Sequence, residues 1–99
     1  MDGFEWDPDK EAKNIAERGI DFTTAAGIWG GRVLEQIDDR RDYGEVRVQA
    51  SGEVDGRPMV VVFTWRGTTR RIISARKANP REERRFEAET HGRRTAAQD

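Results

Sequence analysis

In the segment GEVRV, Glu45 and Arg47 stand two residues apart, and further on the segment TRRIISARK carries Arg70, Arg71, Arg76 and Lys77. Residues two apart on an extended strand project from the same side, so a carboxylate and a guanidinium would share a face. Guanidinium groups bind phosphate oxygens in pairs and stabilise the charge of a pentavalent phosphorane. A carboxylate among them can take a proton from a ribose 2′-hydroxyl. Arginine stays protonated and cannot be that base. On the last strand, alternation puts Arg70, Ile72, Ser74 and Arg76 on one side and Arg71, Ile73, Ala75 and Lys77 on the other. The same residues also make a cross-strand salt-bridge ladder on a solvated face, and spacing by itself favours that reading.

Other chemistries find little support. The chain has no cysteine, which excludes disulfides, thiol catalysis and Cys-ligated zinc. Its one histidine, His91, lies close to the C-terminus. There is no Gly-rich phosphate loop, Walker lysine or paired-carboxylate metal motif, and Ser51 and Ser74 have no nucleophile context. No metal and no cofactor are therefore expected. Trp29 and Trp65 could stack on nucleobases, although their spacing suits core positions better.

Ninety-nine residues make a single domain. Hydrophobic residues make up 34% and charged residues 37%, a polar balance that leaves room for a partner to cover part of the surface. The net charge of −1 argues against nucleic acid only when it is averaged over the chain. Residues 1–22 carry a local −4 and residues 66–86 a local +6. No apolar run reaches membrane-spanning length, and the acidic start MDGFEWDPD is no signal peptide, so a cytoplasmic protein is expected.

The elements that must position these charges are readable. FEWD is a short extended opening. Asp7 caps and Pro8 starts a helix that stops at Gly19. A second helix follows, capped by Asp21, with Phe22, Ala25, Ala26 and Trp29 as its apolar stripe and Gly30-Gly31 as its end. The period then shifts to two. RVLEQIDD is a first, loosely alternating strand, DRRDYG a polar turn over 39–44, and EVRVQAS a second strand that carries Glu45. Asp55-Gly56 marks a hairpin, PMVVVFTW a central strand apolar on both faces, and TRRIISARK the last strand. Asn79, Pro80 and Glu82 open a final helix over about 80–89, with Phe86 almost its only apolar anchor. The fold class is α+β: two N-terminal helices, an antiparallel sheet of about four strands and a C-terminal helix.

The strings FEWDPDKEAKNIAERGIDF, DDRRDYGEVRV and RRIISARKA, together with Glu82 three residues before Arg85, resemble the BrnT family of bacterial toxins over about residues 4–87. The toxin-like domain spans 1–89, and THGRRTAAQD over 90–99 reads as a frayed tail; the resemblance implies a RelE-like ribonuclease fold. It implies RNA cleavage that suppresses translation, and a DNA-binding, BrnA-like antitoxin in an assembly with two toxin copies. It places Phe4, Trp6, Asp7, Lys13 and Asn14 in the front motif and Gly44, Glu45 and Arg47 in the middle one. Arg71 through Arg76 form the strand motif. Glu45 is then the expected general base, with Arg47 and Arg76 stabilising the transition state and Lys13, Arg18, Arg71 and Lys77 touching RNA. Two departures stand out: Arg18 replaces the family's usual histidine and Phe86 its usual tyrosine. Arg18 keeps a cation but cannot exchange protons near neutral pH. A catalytically degenerate module that holds an antitoxin and tunes repression is the alternative, and a non-enzymatic nucleic-acid-binding sheet a third.

Overall fold

A computed structural model describes residues 3–98, with side chains for residues 3–90. The elements in order are β1 (Phe4–Trp6), α1 (Pro8–Arg18), α2 (Phe22–Ala25), a 3-10 turn (Ala26–Gly30), β2 (Leu34–Asp38), β3 (Arg47–Val54), β4 (Arg57–Arg66), β5 (Thr69–Lys77) and α3 (Pro80–Gln98). The caps fall where the sequence places them. Asp7 accepts from the Asp9 N–H at 2.9 Å, and Gly19 takes a left-handed φ of 71°. Asn79 and Glu82 form a reciprocal capping box at 2.8 and 2.9 Å.

The sheet has five strands, not about four, in the order β1-β5-β4-β3-β2. β1 is a true strand and pairs parallel with β5, so the sheet is mixed; the other pairings are antiparallel. β4 is central, as its two-sided apolar character requires. Asp55 and Gly56, with φ of 51° and 75°, make the tight turn between β3 and β4.

Three further boundaries differ from the sequence reading. The second helix is only one turn long and continues as the 3-10 segment, which buries Ile28 rather than Trp29. Gly27 and Gly30 weaken α-helix propagation there. Glu45 is not part of a strand, since β3 begins at Arg47. The last helix continues past residue 89. Of the tail expected at 90–99, the side chains beyond Thr90, His91 among them, lie outside the described ones.

One sheet face carries the main core. Phe22, Ala25 and Ile28 from the helical segments meet Val48, Ala50, Met59, Val61, Phe63, Ile72 and Ala75 from the strands. Gly52 lets the 3-10 turn approach, because a Cβ there would stand 2.8 Å from that of Ile28. α3 packs against β2 and β3 from the other face, where Val60 is buried and Phe86 is its own buried anchor. β5 would be an exposed edge beyond β1, but Asn14 of α1 covers it. Its Oδ1 accepts from the Ala75 N–H at 3.1 Å while its Nδ2 donates to the Ile20 carbonyl at 2.9 Å.

A bulge decides which arginines share a face. Val62 pairs with Ser74, yet Phe63 pairs with Ile72, leaving Ile73 as the extra residue. The alternation expected along β5 therefore breaks. Arg71, Ser74 and Arg76 lie in the rows of Thr64, Val62 and Val60, while Arg70, Ile72, Ala75 and Lys77 lie in the rows of Trp65, Phe63, Val61 and Met59.

Candidate functional site

Arg71 and Arg76 stand on the sheet face opposite the main core. Arg47 joins them because Val48 pairs with Phe63, which sets Arg47 beside Thr64 in the row of Arg71. Asp38, at the end of β2, is the cross-strand partner of Arg47. Four guanidinium groups are tied to this region, and each meets a carboxylate. Arg40 pairs with Asp38 at 2.8 Å, Arg47 with Glu45 at 3.4 Å, Arg71 with Glu5 at 2.6 Å and Arg76 with Glu82 at 2.7 Å.

The loop between β2 and β3 is organised by Asp38, whose side chain is only 2% exposed. It accepts from Nε and Nη2 of Arg40 and from the Tyr43 hydroxyl. The hydrogen bond from Arg40, opposed by burial, holds the Asp38 carboxyl well below the usual carboxylate range; the same bond raises Arg40. Tyr43 in turn lies under Arg47, with the guanidinium carbon 4.1 Å from the ring centroid. Gly44, at φ 74°, turns the chain so that Glu45 faces Arg47 and, at 3.9 Å, Arg66. Gly44, Glu45, Val46, Thr64, Trp65 and Arg66 line an open cavity of about 510 Å³.

Arg76 belongs to a different part of the face. Both oxygens of Glu82 accept from it at 2.7 Å, which raises the Arg76 pKa and lowers that of Glu82. Its row is that of Val60, four residues along β4 from Thr64, about 13 Å at roughly 3.3 Å per residue. The structure thus joins Glu45 with Arg47 but does not bring Arg76 to the same point. The charge of Arg40 acts on both Arg76 and Glu82.

The remaining sequence candidates surround α1. Lys13 and Arg18 line a cavity of about 190 Å³ with Lys10, Asn14 and Ser74. Arg18 and Lys77 line another of about 430 Å³. Sequence reasoning missed Asp38, Arg40 and Tyr43, because Asp38 read as an ordinary strand position and DRRDYG as a polar turn. Its clustered charges and aromatic were the available signal. Among the described residues no group of three or more His, Cys, Asp or Glu side chains could hold a metal ion. No described helix is long and apolar enough to cross a membrane.

A mixed sheet with the main core under helical segments on one face, and with α3 and carboxylate-paired arginines on the other, defines a small α+β domain. The family model described as "Ribonuclease toxin, BrnT, of type II toxin-antitoxin system" matches residues 6–82. The chain belongs to that family. The crystal structure of the Brucella abortus ribonuclease toxin BrnT is similar to it, with a TM-score of 0.60 and 25% identity, covering 80% of this chain and 99% of that one. No curated protein sequence matches the chain significantly.

Proposed function

We propose that the protein is an endoribonuclease whose reacting centre lies at Glu45 and Arg47. The carboxylate takes the proton of a ribose 2′-hydroxyl, the 2′-oxygen bonds to the adjacent phosphorus, and the bond from phosphorus to the 5′-oxygen breaks. The departing oxygen takes a proton from water, leaving a 2′,3′-cyclic phosphate. Arg47, with Arg71 in the same row, stabilises the phosphorane charge. Arg40 and Arg76 hold a neighbouring phosphate rather than the scissile one, and Lys13, Arg18 and Lys77 guide RNA around α1. The proposed chemistry uses no metal.

The observation that carries this reading is the 3.4 Å contact of Glu45 with Arg47 at the rim of the 510 Å³ cavity, within a family of ribonuclease toxins. As a type II toxin it would suppress translation in the cytoplasm until a DNA-binding antitoxin covers it, in an assembly with two toxin copies. The test is digestion of a defined RNA in EDTA by the wild type, Glu45→Gln and Arg47→Ala. Cleavage to a cyclic phosphate by the wild type, with losses of roughly a hundredfold or more in both variants, is expected. Equal cleavage by Glu45→Gln would overturn the assignment of the base.

A second reading, a degenerate toxin that only binds its antitoxin, draws on the carboxylate opposite each arginine of the face and on Arg18 and Phe86. Absence of cleavage by wild type, together with harmless expression in cells lacking the antitoxin, would favour it.

A further inference from the structure

Trp65 opens the exposed end of β4 with 42% of its surface open, whereas the aromatic residues of the main cluster are wholly or partly buried. It is nonetheless rigidly held. Phe63 meets it edge to face at 5.4 Å, and the Arg70 guanidinium lies 4.5 Å from its ring centroid. Arg70 is in turn fixed by Trp29 at 4.7 Å and by Glu35 at 3.6 Å. A preorganised, exposed indole next to a carboxylate and an arginine is what a nucleobase needs: a flat apolar face with an acceptor and a donor at its border.

We propose that Trp65 is the stacking platform for a base of single-stranded RNA that flanks the cleaved phosphodiester, in the cavity it shares with Glu45 and Arg66. The proposal rests on the ribonuclease reading above and names the recognition element of that site. The cavity of about 510 Å³ falls within the usual range for small-ligand sites, about 300–1,000 Å³, and accommodates one nucleotide. The Thr64 hydroxyl is already committed, donating to the Val46 carbonyl at 2.7 Å. The base edge therefore meets the Glu45 carboxylate and the Arg66 guanidinium, which is 58% exposed. The indole and Glu45 line one cavity, which couples stacking to proton removal through one nucleotide. Val46 and Ile37, 63% and 62% exposed, extend the apolar surface beyond the indole. A protein partner would use such a patch too. The ion pair of Glu45 with Arg66 at its border favours the polar edge of a base.

The experiment measures kcat/KM on a short single-stranded RNA with one scissile linkage, and on versions abasic at each flanking position. Wild type should lose about 5- to 150-fold when the stacked base is removed. Trp65→Ala should cut the intact and abasic RNAs at one equal, slow rate, and Trp65→Phe should recover part of the difference. The ratio is taken within one preparation, so any loss of folded protein cancels. Undiminished discrimination in Trp65→Ala overturns the platform and leaves the patch to a protein partner. If the wild type cuts no RNA, the ribonuclease reading fails. The same intact-to-abasic ratio, read as binding by fluorescence anisotropy, then decides the platform separately.

Discussion

Replacing Glu82 by Gln should weaken the fold and strengthen RNA binding at the same time. Glu82 accepts two 2.7 Å bonds from Arg76 and a third, at 2.9 Å, from the Asn79 N–H that opens α3. Glutamine keeps one acceptor oxygen, so the cap survives and the loss falls on the charged pair. A fully buried charge-assisted pair would be worth about 1.5–3 kcal/mol. Here the side chains are 31% and 25% exposed, and solvent screening reduces this to about 1 kcal/mol. For a domain of this size that is a fall of roughly 4–8 °C in Tm. The pH dependence has a definite sign. Arg76 holds the Glu82 pKa below its ordinary 4.5, so the stabilisation is fully present above that value and is lost as pH falls through the lower folded-state pKa. Thermal unfolding followed by circular dichroism should therefore separate the two proteins at pH 7 and bring them together in strong acid. Arg76, freed of its carboxylate, should gain a phosphate, steepening the salt dependence of single-stranded RNA binding by about 0.7 in log-log slope. Equal stability at pH 7, or an unchanged slope with weaker binding, would refute both the latch and its place on the RNA path.

Three other substitutions test the frame that carries the site. Asn14→Ala leaves the Ala75 N–H and the Ile20 carbonyl unpaired at a position 5% exposed, and urea unfolding should show a loss of roughly 2–4 kcal/mol. Gly52→Ala drives a methyl to within 2.8 Å of the Ile28 Cβ; a loss of about 1–3 kcal/mol by the same measurement is expected. Asp38→Asn should loosen the loop bearing Tyr43 and Glu45, raising KM for RNA more than it lowers kcat. Because the Asp38 pKa is lowered from 3.8, its stabilising share is present above that pH and disappears as pH falls below it. An acid titration of stability should accordingly show the variant and wild type converging at low pH.

Local chemistry made most of the elements legible. Asp7-Pro8, Asp55-Gly56, Asn79-Pro80 and the two-sided apolar run of β4 are short-range signals, decided by caps, φ preferences and alternation within a few residues. What depends on distant partners was hidden. FEWD was legible as a strand or an extended lead-in, but only its pairing with β5 adds it to the sheet. Asn14 looks like an ordinary polar position on α1, yet it is buried because the edge of β5 needs an acceptor there. The candidate site was half visible for the same reason. Glu45 and Arg47 lie two apart and meet, whereas Arg76 finds its carboxylate on α3 rather than at Glu45.

The bulge at Ile73 turns this into a functional matter. Under strict alternation Arg71 and Arg76, five residues apart, must face opposite sides, and one of them would be lost to any ligand on the sheet. The extra residue reverses the parity, so both lie on the face of Arg47 while Arg70 alone goes to the aromatic side beneath Trp65. Isoleucine is a good strand former and leaves no mark of a bulge in the sequence. The driving force is instead the packing of Ile72 and Ala75, both of which must reach the main core although they are three residues apart. A straight strand can bury only one of the two. The demand for a closed core on one face thus distributes the arginines of β5: two to the face of Arg47 and one to the aromatic side, where it anchors the indole.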